Sequence, residues 1–210
     1  MKYVIKLGGA GLENPTLLQA CVRAIANLVK DGNQVAVVHG GGIQLTRTLE
    51  KLGKKSEFIN GLRITDAETR DAALMVFAGR VNKSLVAALG AVGQPAVGMS
   101  GGDGLQFRAR KKRTAPDLGY VGEIAASDPR WIEAIWQLNG VPVLCSMALG
   151  FDGEYYNINA DEMAAACATA CREALLNGVK RVRILPAEAA ASLPDLCSSR
   201  VAHGTEVMVA

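Results

Sequence analysis

Short apolar runs alternate along the chain with longer segments in which apolar residues recur at helical spacing. The short runs predict buried β-strands and lie at 3–5, 35–38, 96–99, 141–145, 181–185 and 206–209. The periodic segments predict helices at 15–30, 43–52, 65–93, 129–139 and 160–177. Strands separated by helices form parallel β-α-β units. The pattern therefore predicts an α/β fold, with an open, mostly parallel β-sheet sandwiched by helices.

Local signals refine these elements. Thr65 and Glu68 form a capping box and place a helix start at Thr65, and Gly178 is the expected C-cap of the helix that begins at Ala160. Segment 54–63 is expected to be extended with a turn at 60–61, and a hairpin is expected before 124. The apolar face of the helix after Thr65 is predicted to contain Leu74, Met75, Phe77, Val81, Leu85 and Leu89.

Two glycine-rich turns follow predicted strands and precede predicted helices. They read KLGGAG at 6–11 and HGGG at 39–42. Glycines let the backbone approach a ligand closely, and helix N-termini attract anions. Neither turn matches the Walker or the Rossmann pattern. The two turns therefore predict a phosphate-holding site at the carboxyl ends of the strands, without naming a nucleotide-binding motif.

Composition narrows the class of protein. Half of the 210 residues are hydrophobic and 20% are charged, which is typical of a folded domain. The net charge of +3 argues against nucleic acid or membrane partners. No signal peptide precedes the first strand and no apolar run reaches the length of a bilayer span, so we expect a cytoplasmic protein. The basic run 108–113 is interpreted as a solvated hairpin edge.

Cysteine and histidine give no separate site. The five cysteines fit reduced thiols, and Cys167 and Cys171 share one helix face, where packing is favoured over metal binding. We assign no protein ligand to a metal. His39 is expected to be a packed, hydrogen-bonded residue rather than a catalyst, and His203 to lie on the surface.

Several motifs occur together in a fixed order. They are KLGG at 6–9, HGGG at 39–42, GLRIT at 61–65, VNK at 81–83, GYVGEI at 119–124 and YNINAD at 156–161. Together they resemble the N-acetylglutamate kinases of the amino-acid kinase family. The resemblance covers about 2–169 and resumes near the C-terminus.

The resemblance implies a three-layer αβα fold, a homodimer, and phosphorylation of the side-chain carboxylate of N-acetyl-L-glutamate by ATP with Mg²⁺, an early step of arginine biosynthesis. It implies catalytic roles for Lys6 and Asp161 and phosphate contacts at Gly8 and Gly9. The residues that it implies for substrate binding are Gly41, Gly42, Arg63 and Asn157. These residue types fit phosphoryl transfer to a carboxylate. The carboxylate is already ionised, so the protein has only to position the reactants and to neutralise charge on the transferring phosphoryl group.

One part of the family pattern is absent. Residues 1–170 correspond to the acetylglutamate-binding and dimerisation lobe, whereas 171–210 resemble only a remnant of the nucleotide-binding lobe. About 50 residues, the size of a very small domain, are missing, and Lys180 does not replace the lysine expected there. Either the protein contains this segment and only the printed sequence omits it, or the segment is deleted from the protein.

Alternatives to this kinase remain open. A related kinase acts on aminoadipate attached to a carrier protein, and the basic run 108–113 could serve as its docking surface. A non-catalytic acetylglutamate-binding protein without the ATP lobe is the alternative from another class. The sequence lacks the N-terminal helix of arginine-inhibited members, so we expect a dimer insensitive to arginine. Some relatives bind a PII-type signalling protein; for this chain such a regulator stays an open alternative that nothing in the sequence supports.

Overall fold

A central sheet of four parallel strands organises the molecule. The computed structural model describes residues 1–173, 182–184 and 205–207. The strand order is β1-β2-β8-β5, and the strands are β1 (Lys2–Leu7), β2 (Gln34–His39), β5 (Ala96–Met99) and β8 (Val141–Cys145). Every pairing in this sheet is parallel, as the sequence predicted.

Helices cover both faces of this sheet. They are α1 (Gly9–Glu13), α2 (Pro15–Lys30), α3 (Gly42–Lys51), α4 (Ala67–Leu74), α5 (Asn82–Ala91), α6 (Arg130–Gln137) and α7 (Ala160–Glu173). Alternate residues of each strand enter two different cores. Ile5 and Val37 pack with α2, α3 and α5, whereas Val4 and Val38 pack with α6 and α7. Both faces are therefore buried, which is why these strands read as continuous apolar runs.

A second sheet of four strands lies beside the first. Its order is β10-β9-β6-β7, formed by β6 (Phe107–Lys111), β7 (Gly122–Ser127), β9 (Met147–Gly150) and β10 (Tyr155–Asn157). Two short pairs complete the described strands: β3 (Phe58–Ile59) with β4 (Leu62–Arg63), and β11 (Val182–Ile184) with β12 (Thr205–Val207). The hairpins predicted at 54–63 and before 124 are confirmed.

The interpretation of 108–113 as an open hairpin edge is wrong at Arg108. Strand β6 lies between β7 and β9, and Arg108 pairs with Leu149 of β9. Its guanidinium donates to the carbonyls of Leu149 (3.1 Å) and Gly150 (2.7 Å) and stacks on Phe151. Ala109 also pairs with β9, at Gly150, and among the described strands only β7 pairs with Arg110 and Lys111. The sequence could not show this, because the partner residue Leu149 lies 41 residues further along the chain.

A π-helical turn, Met75–Val81, joins α4 to α5 in one long helix. Its cap is Asp66, which accepts a hydrogen bond from the Thr69 N–H (2.9 Å), and not the predicted Thr65. Met75 is 66% exposed, against the predicted burial, because the π turn shifts the helical register so that Val76 and Phe77 face the core.

By length and composition the helix Ala67–Ala91 could cross a membrane, which the sequence reading did not anticipate. Its described residues instead pack on the central sheet, and 44% of the apolar window is buried inside the protein. The helix therefore buries one face against the sheet and exposes the other, as an amphipathic helix does.

The cysteines of the described region are buried and are not joined in disulfides, as expected for core packing: Cys21, Cys145, Cys167 and Cys171. Burial raises the pKa of the Cys145 thiol to about 12, which keeps the thiol protonated and inert. Cys197, His203, Gly178 and Lys180 lie outside the described residues, and so does the predicted end of the last helix.

Candidate functional site

The carboxyl ends of three strands meet at one edge of the central sheet. Leu7 pairs with His39, and His39 pairs with Cys145. The segments that follow these residues are the two glycine turns and Ser146. The register therefore brings both predicted anion-binding turns to the same edge, where ligands bind in open α/β sheets.

A pocket of about 160 Å³ opens at this edge. Its lining comes from the second glycine turn, the β3–β4 hairpin, the π turn and the segment before α7. The lining residues are Gly40, Gly41, Gly42, Phe58, Gly61, Leu62, Arg63, Phe77, Val121, Ser146, Asn157, Ile158, Asn159 and Ala160. Four of the residues predicted to bind substrate, at 41, 42, 63 and 157, thus line one pocket.

Arg63 is the charged residue that the fold buries in this lining. Its guanidinium donates to the Gly42 carbonyl (3.0 Å), to Thr46 Oγ1 (2.8 Å) and to Ser56 Oγ, and it lies over the Phe58 ring. Within the described part of the chain these hydrogen-bond acceptors are all neutral, and burial lowers the pKa of the guanidinium. A buried cation without a carboxylate partner is costly, so the pocket is suited to an anion.

The glycine turn fits tightly against the π turn. A Cβ added to Gly41 would lie 2.7 Å from Phe77 Cδ1, whereas one added to Gly42 would meet no atom within 4 Å. Gly41 is also the N-cap of α3 and provides no side-chain cap. Free N–H groups of the first helical turn can therefore bind an anion that enters the pocket.

Asn157 is held by backbone and side-chain hydrogen bonds. Its N–H donates to the Tyr120 carbonyl (2.9 Å), and its Nδ2 donates to Thr65 Oγ1 (3.4 Å). The Thr65 hydroxyl donates in turn to the Arg63 carbonyl (2.8 Å). These contacts link the two polar residues predicted to hold a substrate carboxylate.

Lys6 and Asp161 form an ion pair beside the pocket rather than in its lining. Lys6 Nζ lies 2.9 Å from Asp161 Oδ1, and Asp161 follows the lining residue Ala160 at the start of α7. A Cβ added to Gly8 would lie 3.7 Å from Lys6 Nζ, and one added to Gly9 would touch Ile43 Cδ1 at 3.0 Å. The first glycine turn thus lies between the Lys6 ammonium and α3, outside the pocket itself.

His39 is fully buried behind the second glycine turn. Its Nδ1 lies 2.7 Å from the Gly40 carbonyl oxygen, and its Nε2 lies 3.0 Å from Asn82 Nδ2. Burial lowers the pKa of His39 to about 4, so the ring is neutral at pH 7. The structure confirms that His39 is a packed, hydrogen-bonded residue.

Sequence reasoning missed several polar residues of the site. Ser146 lines the pocket directly after β8, and Thr46 and Ser56 bind the Arg63 guanidinium. Asn82 contacts His39 from α5. Only Asn82 gave a signal, because it lies in the VNK motif, to which no role was assigned.

A profile of the amino acid kinase family matches residues 1–183. This match extends over the whole central sheet and all residues of the pocket. The chain belongs to the amino acid kinase family.

Curated relatives narrow the assignment within that family. An acetylglutamate kinase of Acidobacterium capsulatum is 64% identical over 258 aligned positions, and one of Koribacter versatilis is 45% identical; each alignment covers 99% of both chains. The acetylglutamate kinase of Solibacter usitatus is 40% identical over 97% of this chain and 82% of its own length. These relatives place the chain among the acetylglutamate kinases.

Solved structures agree on the fold. The protein smu.665 of Streptococcus mutans superposes with a TM-score of 0.73 at 26% identity, over 88% of this chain and 71% of that one. An N-acetylglutamate synthase of Neisseria gonorrhoeae superposes with a TM-score of 0.74 at 21% identity, over 100% of this chain and 59% of that one. At that identity the second likeness shows the fold alone.

The alignments also show that residues are missing from this chain. The match to the Acidobacterium relative spans 258 positions, but this chain has 210 residues, so at least 48 positions face no residue here. The match to an acetylglutamate kinase of Brachyspira hyodysenteriae ends after 165 positions, which are 79% of this chain and 57% of that relative. Both alignments fit the missing segment of about 50 residues that the sequence predicted in the nucleotide-binding lobe.

Proposed function

We propose that this chain binds N-acetyl-L-glutamate in the pocket beside α3 and phosphorylates its side-chain carboxylate with ATP, as an acetylglutamate kinase of arginine biosynthesis. The observation that carries the proposal is the Arg63 guanidinium, buried in the pocket lining with only neutral partners among the described residues. A substrate carboxylate supplies the missing counter-charge, and the guanidinium holds it by charge-assisted hydrogen bonds.

The reaction places few demands on the protein. The side-chain carboxylate is ionised at neutral pH, so no general base is required. One carboxylate oxygen forms a bond to the γ-phosphorus as the bond to the ADP oxygen breaks, and ADP leaves with the electron pair. The protein has to align these groups and neutralise charge on the transferring phosphoryl group.

Each predicted residue has a part in this proposal. Arg63 and Asn157 hold the α-carboxylate, and the Gly41 and Gly42 N–H groups bind substrate oxygens at the start of α3. Lys6 neutralises the transferring phosphoryl group, Asp161 orients Lys6 through their 2.9 Å ion pair, and the Gly8 and Gly9 N–H groups hold phosphate oxygens.

Magnesium enters this proposal with ATP. No group of three or more His, Cys, Asp or Glu side chains in the described part of the chain could hold a metal ion. As a proposal, we assign no protein ligand to Mg²⁺, which the phosphates of ATP would hold and which would neutralise part of their charge. A homodimer in the cytoplasm, a lobe boundary near residue 170 and insensitivity to arginine stay predictions.

The gap in the alignments favours a second candidate function. If the segment is deleted from the protein, the acetylglutamate pocket is retained while part of the nucleotide lobe is lost. The chain is then a binding protein for acetylglutamate that does not phosphorylate it.

Ligand binding and turnover, measured separately, test the proposal. ADP release and trapping of the acyl phosphate as a hydroxamate should both require acetylglutamate and ATP. Acetylglutamate binding without ADP release would contradict the kinase and favour the binding protein. Absence of acetylglutamate binding would contradict both candidates.

Arg63→Met isolates the residue on which the proposal rests. Methionine removes the buried cation and keeps an apolar chain in its place, so acetylglutamate should no longer raise the melting temperature. Unmodified protein at 100 times the dissociation constant should gain about 2.7 kcal/mol. Arg70→Met is the matched control, because Arg70 pairs with Asp71 and Glu154 outside the pocket. A retained acetylglutamate shift in Arg63→Met would remove Arg63 from the site.

A further inference from the structure

A buried chain of hydrogen bonds runs from the central sheet to the second glycine turn. Asn82 Nδ2 lies 2.9 Å from the Val143 carbonyl oxygen and 3.0 Å from His39 Nε2. His39 Nδ1 lies 2.7 Å from the Gly40 carbonyl oxygen. Asn82 and His39 are both fully buried. Neither side chain lines the pocket, so neither can touch the substrate.

The partners of Asn82 fix the orientation of its amide. A backbone carbonyl can only accept, so the group facing the Val143 oxygen must be the amide nitrogen. On the other side, Lys83 Nζ lies 3.3 Å from Asn82 Oδ1, as required of a cation facing an acceptor. The same ammonium donates to the Gly98 carbonyl (3.0 Å). If the amide were flipped, Asn82 Oδ1 would face the Val143 carbonyl oxygen, acceptor against acceptor. The Asn82 Nδ2 would then face the Lys83 ammonium, donor against donor.

The orientation of Asn82 in turn fixes the tautomer of His39. Because Asn82 Nδ2 is a donor, His39 Nε2 must accept, and in a neutral ring the proton then lies on Nδ1. That proton is donated to the Gly40 carbonyl. The peptide bond is planar and trans, so the C=O of Gly40 and the N–H of Gly41 point in opposite directions. A carbonyl held towards His39 therefore turns the Gly41 N–H away from the ring.

We propose that His39 and Asn82 are positioning residues that hold the Gly40–Gly42 turn with the Gly41 N–H directed into the pocket. This inference rests on the proposed function, because it assigns that N–H to a substrate oxygen. The contact with Asn82 keeps the His39 proton on Nδ1, and this Nδ1–H holds the Gly40 carbonyl by a hydrogen bond. The Gly41 N–H is then already oriented when the substrate binds. Gly98 is needed for this arrangement, because a Cβ at that position would overlap Asn82 Oδ1.

The tautomer can be read directly. The chain has two histidines, so nitrogen-15 spectra of histidine-labelled protein contain two ring systems, and a His39→Asn sample assigns them. We expect His39 to be protonated at Nδ1 in unmodified protein. Protonation at Nε2 would overturn the proposal, whether or not the protein turns over ATP, so this result is independent of the proposed function.

Two matched amide-to-acid variants then test positioning. Asn82→Asp replaces the donor by an acceptor towards His39, so we expect Nε2 to gain a proton, either in the neutral Nε2–H tautomer or in an imidazolium paired with the new carboxylate, and kcat to fall on the order of tenfold to a hundredfold. Gln94→Glu is the control: Gln94 is also buried and donates to two backbone carbonyls, those of Pro95 (3.0 Å) and Asn139 (2.9 Å), before β5 at the other end of the sheet. We expect its kcat to stay within about twofold, as for a substitution remote from the chemistry.

A merely structural role predicts a different result. Both variants would then lose stability and keep a similar kcat when assayed well below their melting temperatures. His39→Asn adds a rescue, because the asparagine amide can replace the Nδ1 donor to Gly40, whereas His39→Leu cannot. Equal kcat values for these two variants would overturn the proposal even if Asn82→Asp fails to fold. Loss of turnover in unmodified protein with an Nδ1–H ring would instead count against the proposed function alone.

Discussion

Lys6 lies at the carboxyl end of β1, where its ammonium is 21% exposed and paired with a carboxylate that is 65% exposed. An ion pair this open to water contributes little to stability, about 1 kcal/mol or less. The pair is nevertheless placed between the first glycine turn and the start of α7. Its position therefore fits charge neutralisation during phosphoryl transfer better than a structural role.

Lys6→Ala should lower kcat about 100- to 1000-fold and leave acetylglutamate affinity almost unchanged, because the lost charge acts on the transferring group. Lys2→Ala is the matched control on the same strand; Lys2 contacts Glu133 (3.7 Å) at the opposite end of β1. Steady-state kinetics and acetylglutamate thermal shifts check both variants. An unchanged kcat in Lys6→Ala would remove Lys6 from its proposed role.

His39 should make stability depend on pH. Its pKa is about 4 in the folded protein, because burial disfavours the charged ring, and near the ordinary 6.5 when unfolded. Between these values only the unfolded chain binds the proton. The free energy of unfolding is therefore highest above pH 6.5 and falls by up to about 3 kcal/mol as the pH drops towards 4.

Denaturant titrations at several pH values check this prediction. In His39→Asn, the free energy of unfolding should no longer show the part of its fall between pH 6.5 and 4 that is due to the His39 ring. The carboxylates contribute equally to the variant and to the unmodified protein, so their effect cancels when the two are compared. Equal pH dependence in the two proteins would show that His39 titrates normally in the folded state.

Residue chemistry was predictable from the sequence where the local pattern defines a role. Arg63, Asn157 and the glycines at 41 and 42 were identified from motifs, and all of them line one pocket. Ser146 and Thr46 were not, since a lone hydroxyl has no sequence signal until the fold places it beside a ligand or a guanidinium.

The second glycine turn, the π turn and α3 form one packed unit at the element scale. Phe77 is buried, and its ring occupies the space that a side chain at Gly41 would need. Gly42 faces open space in the pocket. The structure therefore gives the two adjacent glycines different surroundings: Gly41 is limited by packing, whereas Gly42 borders the space that we propose for the ligand.

Gly41→Ala and Gly42→Ala should separate these two requirements. Gly41→Ala forces the Phe77 ring to move and should lower the free energy of unfolding by about 1 to 3 kcal/mol. Gly42→Ala should keep stability within about 0.5 kcal/mol, but its methyl group enters the pocket and should weaken acetylglutamate binding. Chemical denaturation and ligand thermal shifts measure both effects. A destabilised Gly42→Ala with normal binding would contradict this division.

Strands and helices could be predicted from the sequence where the burial of their side chains alone determines the apolar pattern. The strands of the central sheet were identified because both faces are covered, so every residue of Val35–Val38 is apolar and buried. The interior position of Arg108, the cap at Asp66 and the π turn were not, because each depends on a neighbour far along the chain or on a choice between two adjacent polar residues.

At the scale of the whole molecule, the pocket proposed for acetylglutamate is lined only by residues that precede the predicted position of the gap, near residue 170. Its lining residues lie between Gly40 and Ala160, and the Lys6–Asp161 ion pair adds only one further residue towards the C-terminus. The Acidobacterium relative contains at least 48 positions that this chain lacks. Acetylglutamate binding should therefore not depend on the missing segment, whereas ATP binding should.

Grafting the corresponding segment of the Acidobacterium capsulatum relative into this chain tests that separation. The acetylglutamate dissociation constant should change by less than about threefold, a difference below 1 kcal/mol, since no residue of the pocket is altered. ATP affinity and ADP release should both rise. The same graft carrying Lys6→Ala is the control, in which ATP affinity should rise without ADP release. Acetylglutamate binding that appears only after grafting would show that the pocket of the ungrafted chain is incomplete. An intact mass above 22.0 kDa for the natural protein would show that the segment belongs to it already, so that the graft only restores it.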